Sequence, residues 1–234
     1  MNDPKKKLVM NWSGGKDSAL ALHYLQQQNG FEITSLLTSV NSQHDRISMH
    51  GVRRSLLEKQ ASAIAILLNI LEVPGELSMQ DYDRLMKSKM NEIKEQDITH
   101  AAFGDIFLED LRQYREQKLN EIDIKAVFPL WKRDTAQLVR EFIALGFKTI
   151  TVCVNEKFLD DSFVGRIIDE KFLADLPSTV DPCGENGEFH TFVFDGPIFS
   201  KPIEFAVGEK VKRTFESAEN ASWNNTFWYC DLEG

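Results

Sequence analysis

Cysteine is scarce: Cys153, Cys183 and Cys230 are the only three, widely spaced and odd in number. They form no CxxC pair, so neither a disulfide framework nor a structural zinc site is expected, and a reducing, cytoplasmic setting is the default. Long apolar runs are missing too. Nothing approaches the roughly 20 consecutive apolar residues of a membrane span. The basic start Lys5-Lys6-Lys7 leads into an apolar stretch that breaks at a Ser-Gly-Gly turn, unlike a signal peptide. Positive charge is outnumbered: 27 Lys and Arg stand against 36 Asp and Glu, a formal charge of −9. That balance speaks against a broad, sequence-independent nucleic-acid surface and leaves only a local basic patch open. Internal repeats and Gly/Ser- or Pro-rich linkers are absent. The 42% of hydrophobic residues in 234 positions suffices for one large domain, or for a main domain and a smaller companion.

The most informative stretch is Leu8-Val9-Met10-Asn11-Trp12-Ser13-Gly14-Gly15-Lys16-Asp17-Ser18, followed by Ala19-Leu20-Ala21-Leu22. An apolar strand stops at a glycine turn and a helix-forming run begins. The glycines let backbone N–H groups approach an anion, the helix N-terminus adds about half a positive charge, and Lys16 adds a full one. A Walker loop is excluded because Met10 stands where its first glycine belongs and Asp17 follows the lysine. The dinucleotide fingerprint fails for want of a third glycine. Ser13-Gly14-Gly15-Lys16-Asp17-Ser18 resembles the SGGxDS loop, or PP-loop, of N-type ATP pyrophosphatases. Those enzymes cleave ATP between the α and β phosphates, and the loop holds the departing pyrophosphate.

Strands are expected at 7–12, 32–40, 70–73, 100–103, 124–128 and 148–154. Helices are expected at 18–28, 53–68, 82–96, 108–120 and 135–145. This alternation describes a doubly wound parallel sheet with right-handed crossovers. After residue 155 the texture changes. One amphipathic helix is expected within 159–176, then a polar loop with two prolines and two glycines, then strand-like runs at 189–194, 203–207 and 226–232. The expected organisation is an α/β domain over 1–155 with a small, mostly β appendage over 156–234. The β tail leaves a homodimer open.

In an open parallel sheet a ligand lies beyond the carboxyl ends of the strands. The candidate positions are therefore 13–18, 39–41, Gly104-Asp105, Pro129-Leu130-Trp131 and Asn155-Glu156. Asp17 and Asp105 are the best metal-facing carboxylates, since Mg²⁺ takes one or two carboxylates together with phosphates and waters. Asp17 also fits a helix cap and Asp105 a turn. The stretch Pro182-Cys183-Gly184-Glu185-Asn186-Gly187-Glu188-Phe189-His190-Thr191 places two acids, a histidine and a cysteine within eight residues. It reads either as a substrate loop or as a solvated one. His50 carries a weaker signal, and His23 and His100 read as structural.

Taken together, Ser13–Ser18, Gly104-Asp105-Ile106, Pro129-Leu130-Trp131 and the 183–191 loop resemble the diphthine–ammonia ligase family of PP-loop ATPases, with an adenine nucleotide alpha-hydrolase-like fold. The order and spacing agree over essentially the whole chain. The resemblance implies an ATP-dependent amidation: a carboxylate attacks the α-phosphate, pyrophosphate leaves, and ammonia displaces AMP from the acyl-adenylate. It implies ATP and Mg²⁺ as cofactors, with a diphthine-bearing elongation factor as the acceptor. It also assigns residues. Ser13, Gly14, Gly15, Lys16, Asp17, Ser18, Thr38, Ser39 and Gly104 would hold the nucleotide, with backbone at 37–40 pairing with adenine. Lys16, Asp17, Asp105, Glu185 and Glu188 would carry the chemistry, and Asp17 and Asp105 the metal. RNA-base modification and a non-catalytic nucleotide sensor are the competing readings. The first wants a reactive cysteine pair and a basic face.

Overall fold

The computed structural model describes residues 4–48, 50–75, 77–215 and 225–234. The first three residues of the basic N-terminus lie outside that set. Element order is β1 (Lys6–Asn11), α1 (Lys16–Gln27), β2 (Phe31–Asn41), β3 (Arg46–Ile47), α2 (Arg54–Ile64), β4 (Leu67–Val73), α3 (Met79–Lys94), β5 (His100–Ala102), α4 (Glu109–Asn120) and β6 (Lys125–Val127). It continues with α5 (Thr135–Ala144), β7 (Lys148–Asn155), α6 (Glu170–Asp175), β8 (Phe189–Asp195), β9 (Ala206–Phe215) and β10 (Asn225–Glu233).

The first sheet is the expected open parallel one. β1 pairs with β2 on one side and β5 on the other, β4 extends it beyond β2, and β6 beyond β5. Among the described residues only the two-residue β3 runs antiparallel in this sheet. Side chains alternate across a strand, and β1 shows the consequence. Leu8 and Met10 join the apolar cluster that includes Leu20, Leu22 and Leu25 of α1 and Leu56 and Leu57 of α2. Val9 faces the other way, into the cluster with Met90 and Ile93 of α3 and Leu119 of α4. Both faces are covered, which is why β1 reads as an unbroken apolar run. The strand order reverses between β1 and β5, and that switch point is where a ligand crevice opens.

β7 corrects the expected topology. The sequence pattern puts 148–154 last in the parallel sheet. Instead β7 pairs antiparallel with β8 and β10 in a second sheet of order β8-β7-β10-β9. Seven of its eight residues are buried, and a strand buried on both faces looks the same whichever direction its neighbours run. Three further boundaries move. α2 stops at Ile64 because Ala65 adopts a left-handed cap (φ 60°), which sends Leu68 into β4. The amphipathic segment 159–176 is helical only over α6, where the Asp169 side chain accepts from Phe172 N (2.7 Å), and Phe163 and Ile167 lie outside it. The strand expected at 203–207 begins at Ala206.

The PP-loop is wedged between the two sheets. Val193 N in β8 donates to Gly14 O (2.9 Å), and Lys16 N donates to Thr191 Oγ1 (3.0 Å). Gln60, fully buried in α2, donates to Gly14 O (3.0 Å) and Val193 O (2.6 Å) and accepts from Trp12 Nε1 (3.0 Å). A buried amide left unpaired costs about 1–3 kcal/mol per group; here its partners join α2, the loop and β8. No helix among the described residues is long and apolar enough to cross a membrane.

Candidate nucleotide site

A cleft of about 860 Å³ opens over the carboxyl ends of β1, β2 and β5. Ser13, Gly15, Lys16, Asp17, Ser18, Thr38, Ser39, Gly104, Asp105 and Glu185 all line it. The loop holds its own shape: Gly15 N donates to Ser13 Oγ (3.2 Å), and Ser18 Oγ donates to Gly15 O (2.9 Å). Gly14 takes φ +76°, a conformation that favours glycine. Gly104 is required for a different reason. A Cβ there would stand 2.8 Å from the carbonyl carbon of Asp17 and 2.9 Å from Ser18 N, so β5 can approach the loop only without a side chain. Thr38 is buried and donates to Trp12 O (2.5 Å), while Ser39 Oγ meets Tyr82 OH at 3.2 Å.

Lys16 and Asp17 form an ion pair at the start of α1. Lys16 Nζ lies 2.9 and 2.7 Å from the two Asp17 oxygens and also donates to the carbonyl of Cys183. Burial works against the ammonium, but Asp17, with Cys183 and Glu185 adding to it, holds the lysine pKa above its ordinary value. The cap position of α1 is Gly15, with no side-chain cap, so the Asp17 carboxylate serves the lysine. Asp105 faces Arg115, with Nε 3.0 Å from Oδ2, yet both atoms are buried and lack a hydrogen-bond partner because the pair is poorly aligned. Burial raises the Asp105 pKa against the pull of Arg115, and Asp17 adds to the rise.

The loop 181–188 treats its two glutamates differently. Glu188 is buried and its carboxylate accepts from Asp181 N (3.1 Å), Asn186 N (2.9 Å) and Asn186 Nδ2 (3.0 Å). It stitches the loop together and does not line the cleft. Glu185 projects across to the first sheet, where Oε1 accepts from Ile106 N (2.7 Å) and Phe107 N (3.4 Å). Cys183 is buried beside Lys16; burial pushes its thiol up, and Sγ lies 3.3 Å from the Thr135 carbonyl, which makes it inert packing.

Burial, with Asp17 and Asp105 adding to it against the Ile106 N–H bond and Lys16, pushes the Glu185 carboxyl from 4.5 up to about 7. A raised carboxyl pKa means the folded state holds the proton more tightly, so this group's contribution is most favourable below pH 4.5 and is lost as the pH climbs to about 7. Glu185→Gln is expected to flatten that part of the stability curve and to stabilise the protein at pH 8 by about 1–3 kcal/mol. Urea titrations of both proteins at pH 5 and pH 8 check this. An unchanged pH dependence in the variant would refute the assignment.

Sequence reading missed Gln60 and Arg115. Gln60 had a signal, a polar residue on the same helical stripe as Leu57, Ala61 and Ile64. Arg115 lies in the polar run of α4, where periodicity is silent.

A strand–Ser-Gly-Gly-Lys-Asp-Ser–helix unit at the carboxyl edge of an open parallel sheet defines a PP-loop protein of the nucleotide-binding α/β class. Family comparison then narrows the class. The chain belongs to the diphthamide synthase family: residues 6–126 match its N-terminal domain and residues 134–233 its C-terminal domain. Diphthine–ammonia ligase of Danio rerio is 30% identical over 220 residues, covering 85% of this chain and 86% of that protein. The Mus musculus enzyme of the same name is 30% identical over 129 residues, 53% of this chain and 48% of its own length. The match thus spans about half the length of the mouse relative. Among solved structures, a predicted subunit of tRNA methyltransferase from Methanocaldococcus jannaschii covers 82% of this chain and 98% of its own, at 15% identity and a TM-score of 0.46.

Proposed function

We propose that the protein is an ATP-dependent amide ligase that forms diphthamide or a closely similar amide. A carboxylate attacks the α-phosphate of ATP, pyrophosphate leaves, and ammonia displaces AMP from the acyl-adenylate. The observation that carries this reading is the convergence of Lys16, Asp17, Asp105 and Glu185 on one cleft, joined to family membership. The PP-loop N–H groups and Lys16 would stabilise the pyrophosphate as its charge develops. Glu185, anchored from the second sheet, would hold the reacting groups in register, and Glu188 would act by shaping the loop that carries it. Asp17 and Asp105 suit Mg²⁺: two carboxylates are what this ion takes alongside phosphates, and the buried Asp105 Oδ2 has no hydrogen-bond partner. Mg²⁺ would neutralise phosphate charge there. We place the working division of the chain ahead of β7, with the first part serving ATP and the second the acceptor.

The acceptor named by the family is diphthine, a modified histidine on an elongation factor. Incubation with ATP, ammonia and diphthine-bearing elongation factor is expected to give AMP and pyrophosphate in step with the amide. ADP and phosphate as products would overturn the reading. AMP and pyrophosphate formed only with another carboxylate would keep the chemistry and replace the acceptor. Base thiolation gains no support from the cysteines, since all three are free and buried.

A further inference from the structure

His50 and His190 stand together in the cleft, and nothing above uses them. Their ring centres are 4.7 Å apart, inclined at 35°, and both rings line the cleft that Lys16 lines. His50 Nδ1 lies 3.2 Å from the carbonyl oxygen of Thr191. A carbonyl can only accept, so Nδ1 carries the hydrogen and Nε2 of the neutral ring is a bare lone pair. The ring's Cε1, bonded to Nε2, packs on the PP-loop: a Cβ at Gly15 would come within 3.1 Å of it. The ring edge that carries Cε1, the carbon between the two nitrogens, is therefore the part of His50 that packs against the loop at Gly15.

The charged groups around this pair leave a deficit for an incoming phosphate. From α1, the Lys16 ammonium is already bonded to Asp17 and the Cys183 carbonyl, so much of its charge is answered. From β8 comes only the second imidazole. From β10, Tyr229 packs near Gly51, and Asp231 is held by Arg46 and Arg53. Burial pushes His50 down to about 4 and His190 down to about 3, with Lys16 lowering both, so both rings are neutral at pH 7. A phosphate oxygen arriving at Nε2 would meet a lone pair with its own lone pairs.

We propose that His50 takes one proton from solvent at Nε2 when nucleotide phosphates enter the PP-loop, and donates it as an N–H hydrogen bond to a phosphate oxygen. One Nε2–H bond forms on binding with a proton from solvent; on release that bond breaks and the proton returns to solvent. His190 stays neutral, because two imidazolium rings at this separation would repel, and its tilted ring 4.7 Å away braces His50 in the cleft. Nucleotide capture is thereby coupled to proton uptake. The inference rests on the reading that the PP-loop binds a nucleotide.

The test is a titration of the ¹⁵N-histidine-labelled protein at pH 7.5 with the magnesium complex of α,β-methylene-ATP, followed by NMR. At saturation the His50 Nε2 resonance is expected to move from the neutral to the imidazolium position. His50→Gln, which removes and so assigns that signal, is expected to bind the analogue at least ~10-fold more weakly at pH 6.5 and to lose the tightening that the wild type shows between pH 8 and pH 6.5. In His190→Gln, His50 is expected still to gain its proton. Saturation with Nε2 still neutral would overturn the proposal and leave nucleotide binding standing. Failure of the analogue to bind at all would overturn both.

Discussion

Lys16→Ala is expected to lower pyrophosphate release by about 10²–10³-fold, the range seen when a preorganised group facing developing negative charge is removed. Two separable losses contribute. The first is charge at the anion site, where the ammonium and the helix start act together. The second is structural: Lys16 Nζ ties Asp17 to the Cys183 carbonyl, and so ties the PP-loop to the loop that bears Glu185. Without it Asp17 loses its nearest cation. Breaking a fully buried ion pair costs about 3–5 kcal/mol, and the cost here is smaller because the Asp17 side chain is 29% exposed. Lys16→Met, which keeps the stem and drops the charge, distinguishes the two. It is expected to recover part of the stability in urea and none of the turnover. Wild-type turnover in Lys16→Met would remove the lysine from the mechanism.

The parts of this molecule that are legible in sequence are those set by local chemistry. Ser13-Gly14-Gly15-Lys16-Asp17-Ser18 sets much of its own turn, since the φ of Gly14 and the hydroxyls of Ser13 and Ser18 shape it locally, before Gln60, Thr191 and Val193 brace it. The first sheet is legible for a similar reason: alternating strand and helix periods leave little choice but a doubly wound sheet. What escapes are decisions made by distant partners. Glu185 and Glu188 are the same residue type three positions apart. Only the fold determines that loop N–H groups surround one while the N–H groups of Ile106 and Phe107 receive the other. β7 is equally apolar for either sheet, and its antiparallel neighbours come from residues 189–195 and 225–233. His50 gains its setting from Thr191 and His190, about 140 residues away along the chain.

Gly104→Ala is expected to lower turnover by about 10²-fold, the scale of a 1 Å displacement of positioning groups. The reason is contact, since Gly104 has no left-handed φ to protect. The added methyl would lie 2.8 Å from the Asp17 carbonyl carbon, 2.9 Å from Ser18 N and 3.0 Å from the Asp17 carbonyl oxygen. All three are backbone atoms at the start of a helix whose own hydrogen bonds resist deformation, so the strain falls on the PP-loop or on β5. Overpacking of this kind costs about 1–3 kcal/mol, which leaves the protein folded while the loop shifts against Asp105. Gly30 supplies the contrast, because a Cβ there meets nothing within 4 Å. Gly30→Ala is expected to leave turnover unchanged. Measuring kcat and the urea midpoint for both variants tests the argument. Equal activity in Gly104→Ala and Gly30→Ala would mean that close approach of β5 to the loop has no part in holding the site.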